Sequence, residues 1–599
     1  MKIAHRAGDI PALLLRLWRH LTRRRQRQFL LLMGLMLASA ISEVISLGAV
    51  LPFLGILTTP DLVLQRPFIR DATRTWGITS PEELLLPLTV AFTVAALIAG
   101  VVRSFLLWAN IRLAFASGAD LSVEMYRRTL NQPYWVHLAR NSSEVISGIT
   151  NKVNAIAFGV LLQVFVLISS IILLLAIMIA LIVINPLMAG VASITFGACY
   201  GLVTWMSRRK LQRNSQRIAY EETQVIKALQ EGLGGIRDVI LDGTQQAYCD
   251  AYVKADQPLR QALGNNLFVG NGPRIVLEVV AMILIAVLAY TLSRQSAGFA
   301  MVLPVLGALA LGTLRLLPAF QQSYGAWASI AGNHASLVEV VRILDQPLRE
   351  DISHPAPPPM PFRREIRFEA VRFRYNSKAP WVLDGFDLII PKGARMGIVG
   401  STGSGKTTTL DLLMGLLTPT EGEIRVDGLP IGGAVVRAWQ RTIAHVPQNI
   451  YLADSTLAEN IAFGMPREAI DLPRVREAAR QAQLTDTIGS SPDGYNTRVG
   501  ERGIRLSGGQ RQRIGIARAL YKRASVLVFD EATSALDSAT EQAVMDAIQE
   551  LRGNLTIFLI AHRLTSLRRC DTIIKLEHGR IVARGSYEQL FQASPDVGT

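Results

Sequence analysis

The sequence predicts a multi-domain membrane protein in which a six-helix all-α transmembrane domain precedes an α/β P-loop domain. Three observations carry this. Six apolar runs, each about 20 residues or longer, lie within the first 320 residues, and a run of that length crosses a bilayer core of about 30 Å. Residues 400–408 read Gly-Ser-Thr-Gly-Ser-Gly-Lys-Thr-Thr, the pattern G-x-x-x-x-G-K-[ST]. About 120 residues later, Ser525-Val-Leu-Val-Phe-Asp-Glu531 is an apolar strand ending in two carboxylates, the pattern of a strand buried on both faces.

The composition agrees. A chain of 599 residues is too long for one core. Half of its residues are hydrophobic and mean hydropathy is +0.29. A net charge of +15 would also suit a nucleic-acid partner. Here the Lys and Arg residues crowd alternate loops between the apolar runs, which is the positive-inside pattern of a membrane protein, so no nucleic acid is expected. The three cysteines, Cys199, Cys249 and Cys570, are scattered and form no metal or disulfide framework. The N-terminus has no short apolar core with a cleavage site, so the first span is expected to remain as an anchor.

Residues 1–28 form a basic N-terminus ending in Arg23-Arg-Arg-Gln-Arg27, which reads as a topology signal. The transmembrane domain is placed at 29–322, with spans near 29–57, 84–111, 153–183, 187–206, 273–292 and 298–320. Between the first two spans, Pro67 to Trp76 fits a short amphipathic helix on the outer surface. Two polar stretches, 112–152 and 207–266, hold much of the positive charge. They are expected as cytoplasmic loops, which puts both chain ends in the cytoplasm of an inner-membrane protein. The linker is placed at 323–365 and contains His354-Pro-Ala-Pro-Pro-Pro-Met-Pro361, a stiff polyproline stretch. From 366 to 599 strands alternate with helices.

The P-loop needs a strand before it and a helix after it. Arg395 to Val399 and Leu410 to Leu417 supply them. Small residues let backbone N–H groups converge on phosphate, and the helix N-terminus adds partial positive charge. Lys406 reaches the β- and γ-phosphates and Thr407 can ligate Mg²⁺. Asp530 is placed to hold the same ion, and Glu531 to polarise the attacking water. Leu506-Ser-Gly-Gly-Gln510 starts an Arg-rich helix with a second set of anion-binding N–H groups. One chain does not easily bring both phosphate sites to one nucleotide, which hints at a partner chain.

These motifs resemble the nucleotide-binding domain of ATP-binding cassette (ABC) transporters over about 366–585, which makes the C-terminal half an α/β P-loop ATPase. The resemblance implies that Tyr375 stacks on adenine. It also implies that Gly400, Ser401, Thr402, Gly403, Ser404, Gly405, Lys406, Thr407 and Thr408 cradle ATP. By the same resemblance, Gln448 matches the glutamine that senses Mg²⁺ and the membrane domain. Ser507, Gly508, Gly509 and Gln510 match the signature that, in that family, reads the γ-phosphate of ATP on the other domain. Asp537, in Ser534-Ala-Leu-Asp537, belongs to the loop crossing the dimer, and His562 contacts the γ-phosphate. Val499-Gly-Glu-Arg-Gly503 resembles an exporter segment, and six spans followed by an ATPase fit an exporter half-transporter. The implied assembly is a homodimer with ATP and Mg²⁺ at two sites. Coupling helices are implied near 131–140 and 232–243.

Three arginines lie in or at the edge of apolar runs: Arg103, Arg274 and Arg315. Leu84 to Arg103 is 19 residues, while Thr291 to Arg274 and Gly298 to Arg315 are 17 each. At about 1.5 Å per residue they share one depth, ~26–28 Å below the outer end of their spans. Arginine inside a span is a functional candidate and its fork suits phosphate; the alternative is snorkelling to the inner headgroups. Glu278 is one turn from Arg274 and can pair with it. Together with the outer helix and Tyr134 to Ser143, these arginines resemble the PglK-type flippases. That resemblance implies a membrane-borne polyprenyl-diphosphate oligosaccharide as substrate. Other amphipathic substrates (a lipid A-type lipid, a drug, a peptide) remain open, as does an ATP-gated channel or regulatory subunit. The spans exclude a soluble ABC protein.

Overall fold

A computed structural model of the chain describes residues 9–58, 81–184, 186–293, 299–347, 357–531, 537–550, 555–560 and 564–591. The expected outer helix at 67–76 lies outside the described residues. The chain divides into two compact units, Met1–Gln132 with Arg140–Leu348, and Pro133–Ala139 with Arg349–Thr599.

The first unit is helical. A short amphipathic helix α1 (Ile10–His20) buries Leu13 and Leu17. It is followed by α2 (Arg23–Thr58) and α3 (Pro81–Leu130). After α4 (Tyr134–Ala139), which belongs to the second unit, come α5 (Leu162–Ile184) and α6 (Pro186–Gly234). Next are α7 (Ile236–Leu241), α8 (Gln245–Asn271), α9 (Pro273–Ser293), α10 (Phe299–Gly332) and α11 (His334–Leu344). Six of these helices run through the six expected spans. Among the described residues, four helical stretches are long and apolar enough to cross a membrane: Arg23–Ala49, Glu83–Leu130, Ser142–Val183 and Gln245–Ile283. Three helices open on proline (Pro81, Pro186, Pro273), the residue whose missing N–H costs nothing at a helix start.

The two polar stretches expected as loops are instead largely helical. α3 has 50 residues and α6 has 49, about 75 Å each and more than twice the bilayer core. A helix that has left the bilayer can continue if its polar side chains pair along the axis. Glu124 does so with Arg128 at 2.7 Å and Asp256 with Arg260 at 3.1 Å. The basic N-terminus also has a packing role, because Arg25 bonds Asp120 at 2.9 Å and His20 meets Asp345 at 2.7 Å. The expected linker begins as helix, since α10 and α11 carry the chain to Leu344 within the first unit.

The second unit contains two sheets. The first is antiparallel, ordered β2-β1-β4-β5, with β1 Glu365–Phe373, β2 Leu383–Pro391, β4 Glu421–Val426 and β5 Leu429–Pro430. The second is ordered β10-β9-β3-β8-β7-β6, with β3 Arg395–Gly400, β6 Ile443–Val446, β7 Val526–Asp530, β8 Thr556–Ile560, β9 Thr572–Glu577 and β10 Arg580–Gly585. All its pairs are parallel except β9–β10. Along β7, Val526 and Val528 enter one core with Phe368, Ile398 and Trp439. Leu527 and Phe529 enter another with Leu452, Ile514 and Leu559. This alternation, with both faces buried, explains the continuous apolar run and delivers Asp530 to the strand's C-terminal end.

Asn460, fully buried, fastens the loop after β6. Its side chain accepts from Ala453 N–H (3.0 Å) and donates to the Ala453 carbonyl (3.0 Å), the Ser455 hydroxyl (3.1 Å) and the Thr456 carbonyl (3.1 Å). Asn460→Leu strands several buried polar groups. The expected loss of stability is about 2–4 kcal/mol, read as a lower unfolding midpoint of the full chain. An unchanged midpoint would show that the loop is held elsewhere.

Candidate functional site

The P-loop joins β3 to the helix α12 (Lys406–Leu413). Two of its glycines are required. Gly400 has φ 158° and a Cβ there would lie 2.4 Å from the Leu576 carbonyl; Gly405 has φ 104° and would meet Leu383 at 2.9 Å. The Lys406 ammonium donates to the carbonyls of Gly400 (2.8 Å) and Ser401 (2.9 Å), closing the loop on itself. The Ser404 hydroxyl is buried with no hydrogen-bond partner. A buried donor without a partner is costly, so this cradle suits an oxyanion.

Thr407, second in α12, hydrogen-bonds Asp530 at the end of β7. Burial and the neighbouring Glu531 push the Asp530 carboxyl up, while Lys406 and Thr407 pull it the other way. A cation held between Thr407 and Asp530 would relieve that cost, so these residues fit Mg²⁺. Glu531 stands at φ 53°, in the left-handed region that a residue with a side chain seldom adopts. Its N–H bonds the Ile560 carbonyl at 3.1 Å, and its carboxylate accepts from the Gln448 amide at 2.7 Å. The Tyr375 hydroxyl lies 3.2 Å from the Thr408 hydroxyl, and its ring remains 52 % exposed.

Ser507 caps helix α13 (Gly508–Lys522) in a reciprocal box. Its hydroxyl accepts from Gln510 N–H (3.2 Å) while the Gln510 side chain accepts from Ser507 N–H (2.9 Å). Gly508 and Gly509 open the first turn. Asp537 caps helix α14 (Ser538–Glu550) through Thr540 N–H at 3.1 Å, and the Thr540 side chain, followed by this N–H, holds its carboxyl below the ordinary range. His562 and Ser534 lie outside the described residues.

From the sequence alone, two residues have no place near the P-loop. Asp411 in α12 is pushed up to about 6, by burial and then by the charge of Asp530. Tyr134 of α4 is pushed up by burial, by Asp411 and by Tyr375. A single acid inside the apolar run Leu410–Leu413 was the available signal for Asp411. Tyr134 is 277 residues from Asp411 in sequence, and only the fold brings them together.

In the membrane helices, Arg103 lies 3.6 Å from Glu43, beside a cavity of ≈ 280 Å³ walled by Ser39, Ser169, Ser170 and Gln322. Arg274 bonds Glu278 at 2.8 Å, the pairing expected one turn apart, and lines a larger cavity of ≈ 1090 Å³. Pro318 and Gln322 stand in the walls of both cavities. Arg315 falls within α10, but its side chain lies outside the described residues.

Residues 61–306 match the family described as ABC transporter transmembrane region, and residues 383–534 the family described as ABC transporter. The ATP-dependent lipid A-core flippase of Cupriavidus pinatubonensis is 30% identical over 498 residues, 80% of this chain and 83% of that protein. The protein of the same name from Burkholderia orbicola is 29% identical over 90% of this chain and 95% of its own length. Among solved structures, a bacterial Atm1-family ABC exporter with ATP bound superposes with a TM-score of 0.79 at 24% identity, covering 95% of this chain and 96% of that one.

Two outcomes test this site. Glu531→Gln is expected to lower ATP turnover by about 10²-fold or more while nucleotide still binds; wild-type turnover would remove Glu531 from the water-activating role. Asp411 has its carboxyl raised in the folded state, so its charged form costs stability above pH 6, and that cost disappears below its ordinary value near 4. Asp411→Asn should therefore raise the unfolding midpoint at pH 7.5, with the gain shrinking as pH falls below 6. A pH-independent gain would refute the burial argument.

Proposed function

The chain belongs to the ABC transporter family, with an exporter-type membrane domain and an ATPase domain fused in one polypeptide, and on that premise we propose that it flips a phosphorylated amphipathic lipid of the lipid A type across the inner membrane. ATP hydrolysis coupled to transport follows from the family. The substrate assignment is ours. The observation that carries it is the placement of Arg103 and Arg274 beside two cavities that share Pro318 and Gln322, because a guanidinium inside a helix bundle is a ready phosphate ligand. Relatives matched over 80–90% of the chain bear the name lipid A-core flippase. This moves a lipid A-type substrate ahead of the polyprenyl-diphosphate oligosaccharide suggested by the PglK-type resemblance.

When bound, Mg²⁺–ATP supplies the phosphoanhydride bond whose cleavage drives the cycle. Lys406 exchanges its two carbonyl partners for phosphate oxygens, and Ser404 gains the partner it lacks. Thr407 and Asp530 would hold the metal. Glu531, oriented by the Gln448 amide, positions the attacking water. The capped start of α13 offers N–H groups to a γ-phosphate. In this reading the partner is a second copy of the chain, each supplying Ser507–Gln510 to the other's P-loop, and Tyr375 stacks on adenine. His562 and Asp537 retain the roles implied by the family.

The test is flipping in proteoliposomes, offering a lipid A-type lipid, a short polyprenyl-diphosphate oligosaccharide and an unphosphorylated phospholipid analogue, with ATP and without. ATP-dependent movement of the lipid A-type lipid is expected, reduced at least about tenfold by Arg274→Ala. Movement of the polyprenyl diphosphate alone would restore the earlier assignment. Movement of none, with ATPase intact, would leave the engine and remove the cargo.

A further inference from the structure

In the ATPase unit, away from the P-loop, a cavity of ≈ 520 Å³ opens between the helix Leu472–Gln481 and the C-terminal end of α13. One face of the first helix supplies Arg474, Glu477, Ala478 and Gln481, spaced three and four apart as neighbours on a helix face are. The end of α13 and the residues after it supply Leu520 and Arg523. With Ala478 and Leu527 of β7, Leu520 makes a buried apolar floor. The volume falls inside the range of small-molecule sites, about 300–1,000 Å³.

Charge in this cavity is one-sided. Glu477 is the one carboxylate among the described lining residues, and it is already engaged. Arg480 donates to it at 2.7 and 3.0 Å and the Gln481 amide at 2.6 Å. The Arg480 bond holds its carboxyl below the ordinary range, and Gln481 and the charge of Arg523 add to the effect. Neither Arg474 nor Arg523 forms an ion pair among the described residues, so two guanidiniums line the cavity without a carboxylate of their own.

Two observations mark these arginines as ligand-binding groups. The Nε of Arg474 is shut off from water and has no hydrogen-bond partner. A buried donor on a cation without an acceptor is costly. This one is held in place, because the guanidinium lies 4.6 Å from the centroid of the buried Tyr521 ring. Arg523 stands at φ 52° and ψ 45°, in the left-handed conformation that ends α13. Glycine usually takes that position. An arginine there keeps a strained backbone and sets a guanidinium beside the cavity.

A guanidinium presents a planar fork to a carboxylate or a phosphate. Two of them over an apolar floor suit an oxyanion joined to an apolar body better than a bare ion or a neutral hydrophobe. The cavity is also separate from the ATP chemistry. Arg523 is 16 residues from the Ser507 cap, ~24 Å along α13. Likewise β7 starts beside the cavity and delivers Asp530 at its far end.

We propose that this cavity is a second ligand site of the ATPase unit and takes a small amphipathic acid, with Arg474 and Arg523 on its oxyanion and the alanine and leucine floor under its apolar body. The site is independent of the cargo that the membrane helices carry. The acid group is a carboxylate or a phosphate monoester, since both fit the fork.

The experiment uses the full chain in nanodiscs, with a non-hydrolysable ATP analogue saturating the P-loop and the signal of empty nanodiscs subtracted. Three probes sharing one apolar body are titrated: 2-naphthoate, 2-naphthyl phosphate and 2-naphthylmethanol. At least one of the two anions should bind about tenfold more tightly than the neutral alcohol, and the better anion identifies the acid group. Arg474→Gln and Arg523→Gln should each weaken that anion about tenfold, the size of one lost hydrogen bond to a charged group, and leave the alcohol unchanged. Arg523→Gly separates ligand contact from fold. Glycine suits the left-handed cap, so the unfolding midpoint should hold or rise while anion affinity still falls. Equal affinity for all three probes overturns the proposal, as does unchanged anion affinity in both glutamine variants. Loss of anion binding that comes with a lowered unfolding midpoint in every variant also overturns it, because the arginines would then be supports of the fold.

Discussion

A charge taken out of water needs a partner, and the rest of this structure is arranged around that constraint. Glu43, 5% exposed in the middle of α2, meets Arg103 of α3. Arg274 meets Glu278 within α9. Lys152, buried where the chain re-enters the bundle, is paired with Glu339 of α11 and lies near Glu222 of α6. Glu43 and Lys152 are the buried members of these pairs, and removing the partner of either leaves a buried charge uncompensated, at about 3–5 kcal/mol; the Arg274–Glu278 pair is largely exposed. Pairing therefore holds helices from distant parts of the sequence in register. On the proposed reading, the oxygens of a phosphorylated substrate would compete with a resident carboxylate for the same guanidinium.

The same constraint, with its sign reversed, shapes the helices beyond the bilayer. α3 and α6 do not stop at the membrane boundary because polar side chains in water support a helix as well as apolar ones support it in lipid, provided that they pair along it. The result is two rods of about 75 Å that are each continuous from apolar to polar sequence. α3 carries one interior proline, Pro87, near its start, before the polar stretch.

In the ATPase unit the strain is local and concentrated at the reacting groups. Glu531 holds a left-handed backbone conformation costing on the order of 1–3 kcal/mol. Asp530, one residue earlier, carries a carboxyl displaced by burial and by Glu531 itself. The strand that presents them is buried on both faces, with Val526 and Val528 in one core and Leu527 and Phe529 in the other. Two packed cores thus hold two carboxylates side by side, where the proposed mechanism needs a cation and a water.

Much of this was legible in the sequence because its signals are local. The P-loop, the strand ending in Asp530 and Glu531, the capped start of α13 and the apolar runs each lie within one element, where spacing alone determines which atoms meet. The Arg274–Glu278 pair, one helical turn apart, was legible for the same reason. The helical nature of 112–152 and 207–266 was not, because a polar helix and a polar loop have similar composition, and only pairings such as Glu124 with Arg128 separate them. Contacts between distant segments were decided by tertiary structure alone: Glu43 with Arg103, Tyr134 beside Asp411, and the carboxamides of α8, α10 and the helical turns before α5 brought to one cavity. No periodicity in the sequence encodes which helix faces which, since that depends on how apolar surfaces from the whole chain pack to exclude solvent and lipid. The sequence by itself determined what kind of machine this chain is and where its ATP chemistry resides, while the packing of the helices decided which polar groups were left facing one another across a cavity.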